Sequence, residues 1–263
     1  MLRSIVIEGG DGVGKSTVAE LAAAKFSTLE GFEGVYLRFP SDGLEGFRDF
    51  FLRQGGSRPE VENSKLVWSP AYTTNIPPIT NLLNVMADFC YVYSSIPLAP
   101  DIKAIESRGN EPILVIDREM LSTVVYQIMY AFPLTRAEFD SVQEQKVYLL
   151  DTLRAITQGP EAIQWQHSML VHVMPAGGDI RMTGDDRFDN YDQPLLQHLF
   201  KQLFDKLSNI GDSSAIDYLD TTGGLTWLSS RFNTYAEIEG FSKPAEDLAN
   251  DIVTLFLENN NEA

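Results

Sequence analysis

The sequence predicts a three-layer α/β/α fold around a mostly parallel sheet of about five strands, with insertions. Three observations predict it. The apolar segment Ser4-Ile5-Val6-Ile7 leads into Gly9-Gly10-Asp11-Gly12-Val13-Gly14-Lys15-Ser16, a complete G-x-x-x-x-G-K-[ST] loop, and a helical pattern runs on from Thr17 to Phe26. Pro112 to Asp117 is an unbroken apolar run ending in a carboxylate, the pattern of a parallel strand buried on both faces. Strand and helix patterns then alternate along the chain, which implies parallel strands joined by helical crossovers. A length of 263 residues suits one domain spanning 1–263.

Taken in order, the second strand is Gly34 to Phe39, and a short helix lies near Phe47 to Arg53. An excursion over about 54–80 carries Trp68, Tyr72 and the Pro77-Pro78 pair. Leu82, Val85, Met86 and Phe89 recur at helical spacing, which predicts a helix over 82–93. After the 112–117 strand come a helix from Ser122 to Tyr130 and a capping box, Thr135-x-x-Glu138, opening a helix to about Ile156. Met169 to Met174 reads as a strand closed by Pro175, Gln193 to Leu207 as an amphipathic helix, and Ala215 to Leu219 as the last strand. Residues 222–241 read as an insertion of unassigned role. Ser242-Lys243-Pro244 opens a terminal helix to about Leu257, with Pro in the first turn, where its missing N–H is harmless.

The net charge of −17 narrows the partners. Such a field repels nucleic acid and anionic membrane surfaces, so neither is expected as a partner. An anionic nucleotide would have to be captured by local positive charge. Cys90 is the single cysteine, which excludes a disulfide within the chain and leaves no Cys-based metal site, and His167, His172 and His198 lack metal-ligand spacing. No leader precedes the first strand and no apolar run approaches about 20 residues, so a soluble, cytoplasmic setting is expected.

The loop from Gly10 through Thr17 (Gly10, Asp11, Gly12, Val13, Gly14, Lys15, Ser16, Thr17) makes a nest of backbone N–H groups at a helix N-terminus, which suits a polyphosphate such as that of ATP. Lys15 would reach the β/γ-phosphates, and the Ser16 hydroxyl would ligate Mg²⁺. Asp117-Arg118 stands at the C-terminal end of a buried strand, the edge that faces the ligand crevice in open α/β sheets. An acid there helps to position Mg²⁺ and its waters, and the adjacent Arg grips a second phosphate through its forked donors. Arg38 ends the second strand at the same edge. Arg181 and Arg187 bracket a polar stretch within 176–190 that suits a lid whose cations neutralise a transferred phosphoryl group.

These segments together resemble the thymidylate kinases, within the nucleoside monophosphate kinases and the P-loop kinase type of fold. The likeness is carried by Ile7 to Thr17, by Arg38-Phe39-Pro40, by Asp117-Arg118 with Leu121-Ser122-Thr123 and Tyr126-Gln127, and by Arg181 with Asp186-Arg187-Phe188-Asp189. The resemblance implies that Asp11 binds the acceptor 3′-hydroxyl, that Arg38 and Arg118 hold the acceptor phosphate, and that Ser122, Thr123 and Gln127 lie on the acceptor side. It also implies a homodimer. Gly12 stands where some members carry a loop Arg, so Arg181 and Arg187 take on that burden beside Lys15 and Asp117 as catalytic residues. The family pattern carries a Phe and, four residues on, an Arg on the 82–93 helix; here Val85 and Phe89 occupy those places, leaving Phe89 as the residue to stack on the base. Glu119 stands where an aromatic or His is common in the family.

The expected reaction is transfer of the ATP γ-phosphoryl group to a deoxypyrimidine 5′-monophosphate, dTMP in the first instance, with Mg²⁺ as cofactor and nucleotides as the only ligands. The changed base-pocket helix keeps a 5-substituted dUMP open as acceptor. A kinase acting on a nucleoside hydroxyl, with Glu8 or Glu119 as base, and a nucleotide-operated switch without turnover are the other readings.

Overall fold

The computed structural model describes residues 2–38, 99–125, 140–141, 144, 166–176, 193–208 and 228–260. Five strands, β1 (Arg3–Glu8), β2 (Phe32–Arg38), β3 (Glu111–Asp117), β4 (His167–Pro175) and β5 (Phe232–Gly240), form one sheet in the order β2-β3-β1-β4-β5. Every pairing in it is parallel. The helices among the described residues are α1 (Lys15–Phe26), α2 (Pro100–Ser107), α3 (Met120–Thr123), α4 (Gln193–Ser208) and α5 (Ala245–Asn260).

Alternation along the strands sorts the side chains into two layers. Ile5 and Ile7 of β1, Ile113 and Val115 of β3, and Met169, Val171 and Val173 of β4 join one core with Val18, Ala22 and Phe26 of α1 and Leu248, Ile252 and Phe256 of α5. Phe26 and Phe256 meet edge to face, with centroids 5.2 Å apart. His172, between Val171 and Val173, points from the other face and stacks on Phe204 and Phe200 of α4, at 5.0 and 6.4 Å. Helices therefore cover both faces, as the three-layer expectation requires.

The register aligns the carboxyl ends of the strands on one rim. Arg38 pairs with Asp117, Asp117 with Ile7, and Glu8 with His172. β1 is central, with β3 on one side and β4 on the other, so the winding reverses at its C-terminal end. In open α/β sheets this switch point is where ligands bind.

Several expectations are corrected. The stretch 222–241 is not simply an insertion, because it contains β5, parallel to β4 from His167↔Phe232 to Pro175↔Gly240. Its sequence, Phe232-Asn-Thr-Tyr-Ala-Glu-Ile-Glu-Gly, lacks the apolar run of a strand buried on both faces, because β5 is the outermost strand of the described sheet. α2 was not expected; it starts with Pro100 in the first turn and buries Ile102 and Ile105. α3 begins at Met120, two residues before the expected Ser122, and the terminal helix begins at Ala245, just after Pro244, and runs to Asn260. The expected helices near 47–53 and 82–93, the excursion at 54–80, the capping box at 135–138, lid residues 177–190 and the strand at 215–219 lie outside the described residues. No helix among the described residues is long and apolar enough to cross a membrane.

Candidate active site

The glycine-rich loop is shaped by its neighbours. At Gly9, φ is +143°, and a Cβ there would sit 2.3 Å from the Val173 carbonyl oxygen, so β4 leaves no room for a side chain. Gly14, at φ +90°, is the N-cap of α1, and the Phe241 ring packs against its Cα side, 3.2 Å from where a Cβ would stand. Val13 is fully buried and anchors the loop in the core. Lys15 opens α1 with only 4% of its surface exposed, and its Nζ donates across the loop to the Gly10 carbonyl. Burial lowers the pKa of this ammonium, while the charges of Asp117 and Glu8 oppose the shift. Ser16 is half-buried and Thr17 exposed.

Beside the loop, Asp117 ends β3 with 0% exposure. Tyr36 Oη donates to its Oδ2 at 3.1 Å, and Arg38 Nε lies 3.8 Å from the same oxygen. The Tyr36 phenol is pushed upward by its own burial and by the charge of Asp117. Arg118 follows in the left-handed region, at φ +70°, with its N–H bonded to the Ile7 carbonyl at 3.0 Å and its guanidinium paired with Asp11. The predicted Lys15, Arg38, Asp117, Arg118 and Asp11 thus gather on one rim.

Glu8 holds the next turn. Its Oε1 accepts the N–H groups of Glu119 (2.5 Å) and Ser122 (3.1 Å), and its Oε2 accepts the Ser122 hydroxyl (2.6 Å). Burial, opposed by these hydrogen bonds, pushes the Glu8 carboxyl up to about 7. Ser122, expected on the acceptor side, spends its hydroxyl on Glu8, and Thr123 closes α3. Phe89, Gln127, Arg181 and Arg187 lie outside the described residues.

Sequence reasoning missed two participants, Gln197 and Arg231. Gln197 of α4 backs the loop, with Nε2 3.4 Å from the Asp11 carbonyl; its one signal was a polar residue beside Leu196 on the apolar face of the helix. Arg231, in the turn before β5, pairs with Glu119, and both side chains are buried. Arg231 Nη2 also lies 3.2 Å from His167 Nε2, while His167 Nδ1 lies 2.8 Å from Ser4 Oγ. The same Nε2 lies 3.6 Å from Glu119 Oε1, so Arg231, Glu119 and His167 form one buried cluster. Burial keeps His167 neutral by lowering its pKa.

Asp117 and Ser16 are the residues that could hold a magnesium ion. The buried Oδ1 of Asp117 has no hydrogen-bond partner among the described residues, and Ser16 stands on the same loop as Lys15. Among the described residues no cluster of three or more His, Cys, Asp or Glu side chains is placed to hold a metal. Mg²⁺ suits such sparse oxygen sites, because it is commonly held by one or two protein oxygens together with substrate phosphates.

No protein-family model matches the chain, and no curated protein matches it in sequence. Among solved structures it is similar to a thymidylate kinase from Ehrlichia chaffeensis, at 14% identity and a TM-score of 0.43, over 97% of this chain and 98% of that one. It is also similar to EHV4-TK in complex with Thy and SO4 and in complex with TP4A, each at 14% identity over 97% of this chain and 90% of that one, with TM-scores of 0.43 and 0.42. Likeness at this level carries no argument about function, and the strand order and rim geometry stand on their own.

Proposed function

We propose that the protein is a nucleoside monophosphate kinase that transfers the γ-phosphoryl group of ATP to a deoxypyrimidine 5′-monophosphate, with dTMP as the first candidate. The observation that carries this reading is the shared rim. A phosphate-type loop with a buried Lys15 and two acceptor-type arginines meet on one rim, Arg38 beside Asp117 and Arg118 on Asp11, in a chain of net charge −17. One anion-binding pocket alone would suit a nucleotide-binding switch; a second cationic position beside it suits a second phosphorylated ligand.

In this reading the acceptor phosphate is already anionic at neutral pH, so the chain has no proton to remove. Its work is alignment and charge neutralisation. The backbone N–H groups of the loop cradle the donor phosphates, and Lys15 leaves the Gly10 carbonyl to follow the moving group. Arg38 and Arg118 fix the acceptor phosphate, and Asp11, which holds Arg118, offers its carboxylate to the 3′-hydroxyl. Arg181 and Arg187 close from the lid, and Phe89 stacks on the base. Ser16 and Asp117 would hold Mg²⁺, which supplies charge neutralisation on the donor phosphates when bound.

A kinase for a nucleoside hydroxyl would need a general base, and Glu8 has a suitable pKa. Its oxygens, however, take three hydrogen bonds from the 119–122 turn, and Glu119 is committed to Arg231. The test is an acceptor screen with ATP and Mg²⁺ across common and 5-modified nucleoside monophosphates and the matching nucleosides, read by coupled ADP release. Turnover of a deoxypyrimidine monophosphate is expected. Turnover of nucleosides alone, or nucleotide binding with no turnover, would overturn the assignment.

A further inference from the structure

We propose that Arg231, on the turn entering β5, is a positioning residue for Arg118 and acts through Glu119. Arg118 has a side chain yet stands at φ +70°, a conformation that persists only where the surroundings over-determine it. Three attachments fix its turn from the β1 side: the Arg118 N–H on Ile7, the Glu119 N–H on Glu8, and the Ser122 N–H and hydroxyl on Glu8. From the opposite side the turn is held by the Glu119 carboxylate on Arg231. Arg231 is itself fixed on β4, since its carbonyl accepts the His167 N–H and its Nη2 lies 3.2 Å from His167 Nε2.

Charge makes the arrangement depend on Arg231. Glu8 and Glu119 are both buried, and the Glu119 N–H donates to the Glu8 carboxylate, so the two acids share one site. Two like charges in one apolar site repel unless one is compensated. The guanidinium of Arg231 compensates Glu119, at 2% and 0% exposure respectively. Without it, the buried Glu119 carboxylate loses its ion-pair partner, and the neighbouring Arg118 loses one of the constraints that aim it at Asp11. A buried ion pair is in general no more stabilising than apolar packing of the same volume. The role argued for this pair is therefore one of geometry. Its effect on turnover rests on the acceptor role proposed for Arg118, and its effect on the backbone does not.

The test uses the full chain as wild type, R231Q, R231K, E119Q and E119Q/R231Q. R231Q is expected to raise the acceptor KM by between about 10- and 100-fold with the ATP KM within about twofold, because the donor loop is left untouched. R231K restores most of the loss, and E119Q/R231Q is no worse than R231Q, because the effect passes through Glu119. In a crystal structure of R231Q, Arg118 leaves the left-handed region and parts from Asp11. A melting temperature that falls while the acceptor KM stays unchanged, equal changes in both KM values, or an unmoved Arg118 would overturn the proposal. Should R231Q yield no folded protein, E119Q, which breaks the same pair from the other side, carries the expectation given for R231Q. Should wild type phosphorylate no monophosphate, the proposed function fails, while the position of Arg118 in the variant crystals still decides this inference.

Discussion

Glu8→Gln tests how the rim holds its buried carboxyl. Burial raises this group from 4.5 to about 7, against the pull of the Ser122 and Glu119 hydrogen bonds and the Arg118 charge, with Glu119 adding to the rise. The folded protein therefore binds the proton more tightly than the unfolded chain does. Glu8 costs no stability below pH 4.5 and becomes steadily more destabilising as pH rises from there to about 7. The full shift corresponds to about 3 kcal/mol. Glutamine removes the charge and can keep the contacts, since its Oε1 accepts both N–H groups and its Nε2 donates to a Ser122 hydroxyl that turns to accept. The wild-type stability curve alone does not isolate this, because His172 contributes with the opposite sign. Burial beside Phe204 and Phe200 lowers His172 from 6.5 to about 4, so its contribution is lost as pH falls through that window. The difference between variant and wild type cancels His172. Urea denaturation at pH 5 and pH 8 should show the advantage of Gln over Glu widening by roughly 2–3 kcal/mol. A difference that is flat with pH, or one that favours Glu at pH 8, would refute the account of Glu8 as an ionised carboxylate held against its own burial.

Three other outcomes follow from the same geometry. Lys15→Ala should lower kcat by at least about 100-fold in the coupled ADP assay, because in the proposed reaction it removes the cation that would meet the charge developing on the transferred group; near-normal turnover would defeat the assignment of the loop. Arg118→Ala should raise the acceptor KM by at least about tenfold and leave the ATP KM near its wild-type value, which initial rates at varied concentrations of each substrate would show. Gly9→Ala should cost at least about 2 kcal/mol in thermal or urea unfolding, because a Cβ 2.3 Å from the Val173 carbonyl can be relieved only by moving the backbone.

The parts legible from sequence are those whose physics is local. β1, its loop and α1 were legible because an apolar strand, a glycine-rich turn and a helix follow one another within residues 3–26. β3 was legible because six of its seven residues are fully or almost fully buried and its sequence is apolar from Pro112 to Ile116. β5 was hidden for the opposite reason. As an outer strand it carries Asn233, Thr234, Glu237 and Glu239, so its hydropathy resembles that of a loop. α2 offered only eight residues and a leading Pro100, too short a window for a helical period to stand out. At the site, Arg38, Asp117 and Arg118 were legible as polar residues closing apolar strands. The pairing of Glu119 with Arg231 was not, because 112 positions separate them and no local pattern links the two.

What the sequence showed as isolated charges the fold arranges as pairs, and that bears on how an acidic chain can handle anions. Arg38 and Lys15 face Asp117, Arg118 faces Asp11, and Arg231 faces Glu119. Arg118 and Arg231 are held by carboxylates and Lys15 by the Gly10 carbonyl, so these side chains have little freedom left to lose when a phosphate arrives. The same carboxylates compete with that phosphate, so binding exchanges one charge-assisted contact for another. Selectivity then falls on ligands that meet several of these cations at once and can replace more than one contact. In the proposed reaction a nucleotide pair bridged by the moving phosphoryl group would do this, whereas a single inorganic anion would reach one cation and face the competing carboxylate alone.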